Sequence, residues 1–142
     1  TENVPAVIGL AAAVDKAQSK RAGEVKRLLG LRAKFIENIQ DQLKSARVNG
    51  HQKQVAPHII NVTIPGVDNE RLMMELDEAG IQCSVGSACH ASSAEPSHVL
   101  SAIGLSAEEA RSSLRFSMGG RTTETELEKV AAKLSSLAGP NR

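Results

Sequence analysis

A chain of 142 residues and 15.0 kDa has the length for one compact domain with a sizeable core and too little for a second of ordinary size. Its 41% apolar and 23% charged residues are those of a soluble globular protein, and no run approaches the roughly eighteen apolar positions a membrane span needs. Net charge is only +1, and two Phe are the whole aromatic complement, which leaves little for bases to stack on and argues against nucleic-acid binding.

Val4 to Ala17 is alanine-rich with Pro5 near its start, where a missing N–H costs a helix nothing, and predicts a first helix. From Val25, the residues Leu28, Leu29, Phe35, Ile36, Ile39 and Leu43 paint one helical stripe, predicting a long second helix to about Ala46 with a possible irregularity at Gly30. Lys20, Arg21, Lys26, Arg27, Arg32 and Lys34 read as its solvated face, with a docking patch for an acidic partner as the competing reading. Arg47 to Asn49 suits a short strand and His51 to Pro57 a polar loop. In His58 to Ile64, Ile60, Val62 and Ile64 share one face and Asn61 and Thr63 the other, which is strand alternation closed by Pro65-Gly66. Asp68 caps a helix through Leu72, Met73, Leu76 and Ala79, and Gly80 ends it. Ile81 to Val85 reads as the next strand. After a Gly/Ser/Ala loop, Pro96 opens a short helix to Gly104, and Ser106 with Glu109 forms a capping box for another. Ser113 to Met118 is the last strand. Thr123 with Glu126 caps a final helix whose stripe is Leu127, Val130, Leu134 and Leu137. Few strands among helices imply an α+β fold: a small, mainly antiparallel sheet with helices on one face.

Two Cys make no disulfide framework and favour a reducing compartment, hence a cytoplasmic location. Thr1 stands where an initiator Met would be, with no leader pattern behind it, and suggests a chain cut from something longer. Cys83 falls between Ile81 and Val85 at period two, on the buried face, and reads as a small hydrophobe with suppressed ionisation. Cys89 sits among small residues, Ser84 to Pro96, with no apolar period, which leaves an incidental loop thiol and a reactive one both open. Cys83 and Cys89 lack the spacing of a common zinc pair, so no metal is expected. On the last strand Leu114, Phe116 and Met118 leave Arg115 on the opposite face between Ser113 and Ser117. There a guanidinium either pairs with a surface acid or holds a ligand carboxylate by paired charge-assisted bonds.

The run GIQCSVGSACHASSAEPSHVLSAIGLS, followed by ARSSLRFSMGGRTTETELEKV, resembles the C-terminal part of the cysteine desulfurases, in the class V branch of pyridoxal-phosphate enzymes of aminotransferase fold. The opening TENVPAVIGLAAAV resembles their segment after a Gly-Thr step, with the Gly missing, and the long loop before Glu95-Pro96 resembles the subgroup with an extended cysteine loop. The resemblance implies that Cys89 is the persulfide-forming nucleophile, that Arg115 holds the α-carboxylate of L-cysteine, and that Thr1 touches the phosphate of pyridoxal 5'-phosphate across a homodimer. Val85 and His90 depart from the residues usual there, Ser and Thr. It further implies residues 1–20 as a helix connecting from a large domain, residues 21–142 as the small domain, and a sulfur acceptor or iron–sulfur scaffold protein as partner. None of the lysines stands in the Ser-x-His-Lys context by which the family holds its cofactor, so this chain alone is expected to be inactive. A selenocysteine lyase or other class V enzyme, and a non-catalytic thiol or redox module, are the alternatives.

Overall fold

The computed structural model describes residues 1–86 and 97–139. Its first element, α1 (Val4–Gln42), is one continuous helix of 39 residues where the apolar pattern predicts two, and it passes unbroken through positions 20 and 21 and through Gly30. The pattern lapses over residues 18–24 because no large apolar residue occurs there. Nothing there ends a helix either. Pro is absent, Gly23 costs only about 1 kcal/mol, and Ser19, able to cap a new helix, turns its hydroxyl back to the Lys16 carbonyl at 3.0 Å. Asn3 caps the start by accepting from the Ala6 N–H at 3.1 Å. Residues 1–23 are all exposed, and the first buried residue of α1 is Leu28.

Strands β1 (Arg47–Val48), β2 (Ile59–Thr63) and β3 (Ser113–Ser117) form one sheet in the order β1-β2-β3, antiparallel throughout. The remaining helices are α2 (Asn69–Glu78), α3 (His98–Ala102), α4 (Ala107–Arg111) and α5 (Glu124–Ala138). The α+β architecture expected from the alternation is therefore the one observed. One sheet face, through Ile60, Val62, Leu114 and Phe116, meets Phe35 and Ile39 of α1, Leu72 and Leu76 of α2, and Ala131 and Leu134 of α5. Phe35 and Phe116 meet edge to face, with ring centroids 5.5 Å apart. Both capping boxes form, Ser106 with Glu109 on α4 and Thr123 with Glu126 on α5.

The expected strand over Ile81 to Val85 is reduced to a single bridge between Ser84 and Arg115. The cause lies at the end of α2. Gly80 takes a positive φ of 77°, its N–H bonds to Asp77 at 2.8 Å, and the Ile81 N–H bonds back to Leu76 at 2.9 Å. That closure consumes the first donor a strand would have used.

The basic residues of α1 are a second correction. Arg32 is only 6% exposed and one guanidinium nitrogen donates to the Ile59 carbonyl, so burial lowers its pKa. Arg27 donates to the carbonyls of Gly119 and Thr122, each at 2.8 Å, and pairs with Glu24, while Lys34 reaches Glu124 at 2.6 Å. These three fasten α1 to the turn before α5, to α5 itself and to the edge of β2. Lys20, Arg21 and Lys26 remain on the wet face, and so does Lys34, whose side chain stays 55% exposed while it pairs with Glu124.

Candidate functional site

The face of the sheet turned away from the helices is polar because β2 and β3 alternate in phase. Asn61 lies opposite Arg115 and Thr63 opposite Ser113, while their neighbours Ile60, Val62, Leu114 and Phe116 point into the core. On the far side of β3, Ser84 and Arg115 exchange both backbone hydrogen bonds, at 3.0 and 2.8 Å. On the far side of β2, the Asn49 N–H donates to the Asn61 carbonyl at 2.9 Å. Ser84, Arg115, Asn61 and Asn49 thus form one row across four chain segments.

Side chains fill this face unevenly. Asn49 Nδ2 donates to Asn61 Oδ1 at 2.5 Å and to Thr63 Oγ1 at 2.8 Å; Thr63 and Ser113 hydroxyls meet at 2.7 Å, and Ser113 Oγ donates to the Glu109 carbonyl at 2.7 Å. Thr63 and Ser113 are each only 1% exposed, so their mutual pairing is what makes burial tolerable. Asn69, at the start of α2, bolts the same end by donating to the carbonyls of Ala110 and Ser113 at 3.1 and 2.9 Å. Arg115 is different. The residue is half-buried, and its guanidinium has no hydrogen-bond or ion-pair partner among the described residues. A planar cation fixed on a strand with its donors unspent is suited to a carboxylate.

Cys83 is half-buried against the core, and burial, with a smaller contribution from the Asp77 carboxylate, pushes its thiol up to about 11. That agrees with the reading of Cys83 as a packing residue. Cys89 lies outside the described residues; in sequence it stands five positions after Ser84, the residue bridged to Arg115. Thr1 is exposed ahead of α1, and the 24 helical steps from Val4 to Leu28 span about 36 Å, so one chain does not bring Thr1 and Arg115 together. The residues missed by sequence reasoning are Asn49 and Ser113 as partners of Asn61 and Thr63. Asn61 and Thr63 carried a signal in their alternation, whereas β1 is two residues long and shows none.

No helix among the described residues is long and apolar enough to cross a membrane. The lysines are exposed, save for the half-buried Lys133 on α5, which packs against the opposite sheet face. No lysine stands on β1, β2 or β3, the strands whose polar face carries Arg115.

The pattern described as aminotransferase class-V matches residues 1–130. A protein of Dictyoglomus turgidum named "Cysteine desulfurase IscS" is 37% identical over 97% of this chain and 37% of its own length. A "Cysteine desulfurase" of Mus musculus is 40% identical over 94% of this chain and 28% of its own. The structure of a NifS-like protein from Rickettsia africae superposes with a TM-score of 0.72 at 26% identity, covering 96% of this chain and 35% of that one. A second NifS-like structure, at 24% identity and a TM-score of 0.80, covers 96% of this chain and 34% of its own and shares the fold. This chain thus spans about a third of the length of such relatives. With the match running from the exposed start of α1 to within α5, the chain belongs to the class-V aminotransferase family.

Proposed function

We propose that this chain is the C-terminal portion of a pyridoxal-phosphate-dependent cysteine desulfurase, comprising a connecting helix over residues 1–20 and the small domain over residues 21–142. The observation that carries the reading is the Ser84–Arg115 bridge. It roots the segment leading to Cys89 beside an unspent guanidinium, and five residues of chain reach at most about 18 Å. The names of the relatives, spread over nearly the whole chain, support the same reading.

In this reading Arg115 takes the α-carboxylate of L-cysteine with two parallel N–H bonds and so orients the amino acid. The Cys89 thiolate attacks the substrate sulfur. An S–S bond forms as the substrate C–S bond breaks, the electron pair of the broken bond stays on carbon, and protonation there gives alanine. Pyridoxal phosphate, held mostly by the part of the enzyme beyond this chain, would supply the electron sink that stabilises that pair on carbon until it is protonated. Thr1, carried far from the core on its helical arm, contacts the cofactor phosphate of the partner subunit in a homodimer. Cys89 then hands its outer sulfur to an acceptor, an iron–sulfur scaffold protein in the cytoplasm.

The test is mass spectrometry of the complete enzyme after exposure to L-cysteine. The Cys89 peptide gains one sulfur atom, and Arg115→Ala lowers kcat/KM about tenfold or more. Absence of that gain, or a gain confined to another cysteine, refutes the reading.

A further inference from the structure

The polar face described above contains a hydrogen-bond chain whose direction is fixed at one end. The backbone oxygen of Glu109 can only accept, so the Ser113 hydroxyl gives its single proton there, at 2.7 Å. Ser113 Oγ must then accept from Thr63 Oγ1, at 2.7 Å, which commits the one Thr63 proton. Thr63 Oγ1 in turn accepts from Asn49 Nδ2, at 2.8 Å, and the same amide nitrogen gives its other proton to Asn61 Oδ1, at 2.5 Å. Asn49 Oδ1 also lies 3.1 Å from Thr63 Oγ1, but the one Thr63 proton serves the shorter contact with Ser113, which has no proton left to give. The polarity of the hydrogen-bond chain forces Asn61 to turn its oxygen toward Asn49 and its NH2 group away, because a flipped amide would set two NH2 groups against each other.

The released NH2 has no acceptor among the described residues. Across the strand pair from Asn61 stands Arg115. The backbone bonds of this ladder fall on Ile64 with Ser112 and on Met118 with His58, so Asn61 and Arg115 form a pair without bonds between their own backbones. In such pairs the side chains stand closest, with Cβ atoms about 4.5–5.5 Å apart on one face. Two unspent donor groups, one charged and one neutral, therefore lie side by side, both half-buried.

Resting on the assignment of Arg115 to the substrate carboxylate, we propose that Asn61 is a second substrate-binding residue. Its NH2 donates to a carboxylate oxygen held by Arg115, and Asn49, Thr63 and Ser113 orient that amide. A carboxylate offers about four lone-pair sites, so the Arg115 fork leaves room for a further donor. The feature these donors select is a carboxylate, since an amine lacking one gives them nothing to meet.

The experiment uses the complete, cofactor-loaded enzyme and compares Asn61→Ala, Asn61→Asp and Arg115→Ala in steady-state turnover of L-cysteine, with circular dichroism as a check on folding. Asn61→Ala is expected to raise KM about tenfold with kcat within about twofold, and Asn61→Asp, which sets a negative oxygen against the carboxylate, to raise it further. Asn61→Ser, short of the carboxylate yet able to accept from Asn49, stands in if the Ala variant does not fold, with the same expected rise. An unchanged KM in a folded Asn61 variant beside a raised KM in Arg115→Ala overturns the role of Asn61 and leaves the desulfurase reading intact. A loss confined to kcat overturns it too. An unchanged KM in Arg115→Ala removes the carboxylate assignment itself.

Discussion

The contact between Phe35 and Phe116 is the best place to test how α1 is held on the sheet, because these are the only aromatic side chains in the protein and they touch. Phe35 is 0% exposed and Phe116 5%, so each loses its packing in full when cut back. Truncation to Ala would cost about 3–5 kcal/mol at each site, close to the whole stability of a small domain. Leu is the better probe. A near-volume replacement costs up to about 1.5 kcal/mol, and the lost edge-to-face contact adds about 0.5–1.5 kcal/mol, so Phe35→Leu and Phe116→Leu should each cost roughly 1–3 kcal/mol. In the double variant the ring contact can be lost only once, and the cost should fall short of the sum by about 0.5–1.5 kcal/mol. With no Trp or Tyr in the chain, urea unfolding is followed by far-ultraviolet circular dichroism. Additivity within about 0.3 kcal/mol, or single costs below about 0.5 kcal/mol, would show that α1 does not meet β3 through these rings.

Three further outcomes follow from named groups. Cys83, its thiol pushed up to about 11, should be about 10⁻³ ionised at pH 8 against roughly a quarter for a free cysteine, and so should alkylate far more slowly than Cys89. Peptide mapping after brief iodoacetamide treatment checks it, labelling should rise with pH toward 11, and a Cys83 rate equal to that in urea refutes its burial. The Thr123 N–H and hydroxyl donate to Glu126 at 2.8 and 2.9 Å and hold its carboxyl below the usual carboxylate range. A depressed folded-state pKa stabilises above the unfolded value and is lost as pH falls through the folded one, so melting curves of the parent and Glu126→Gln should differ at neutral pH and converge in acid. Gly80→Ala, strained only by its φ of 77° since nothing lies within 4 Å of the added carbon, should cost about 1–2 kcal/mol in urea unfolding, and no loss would contradict the left-handed cap.

Much of the site is legible in the sequence because strand alternation is a strict period. Leu114 and Phe116 buried in the core oblige Arg115 to face the other way, and Ile60 and Val62 do the same for Asn61. Where the signal is short it misleads. Ile81, Cys83 and Val85 repeat at period two over five residues, which a helix cap followed by one bridge satisfies as well as a strand. Two residues of β1 offer no period at all, so Asn49 could not be placed beside Asn61. Its charge, read with the other bases as the wet side of the helix, assigns Arg32 to water. Its burial follows from the Ile59 carbonyl, which lies 27 positions away and has no trace in the local pattern. Nor does any local pattern single out Thr1, for which only the family resemblance implies a cofactor contact, and Cys89 lies outside the described residues.

The unequal burial of α1 places its two ends under different statistics. Starting a helix in water is improbable, by a factor of about 10⁻³, because several dihedrals must be fixed before the first bond forms, whereas adding a residue to an existing helix is nearly neutral. The segment from Leu28 to Ile39, clamped by the core, is a permanent nucleus. Residues 4–23 need only propagate from it, yet no packing holds them, so each contributes its own propensity. Gly9 and Gly23, where an added Cβ would meet nothing beyond the helix's own backbone, each weigh against this propagation by about 1 kcal/mol relative to Ala. The arm therefore unzips from Asn3 inward, residue by residue, while the sheet and its helices melt together. Warming the chain should give a broad, early loss of ellipticity followed by one cooperative step, and Gly23→Ala should shrink the first without moving the second.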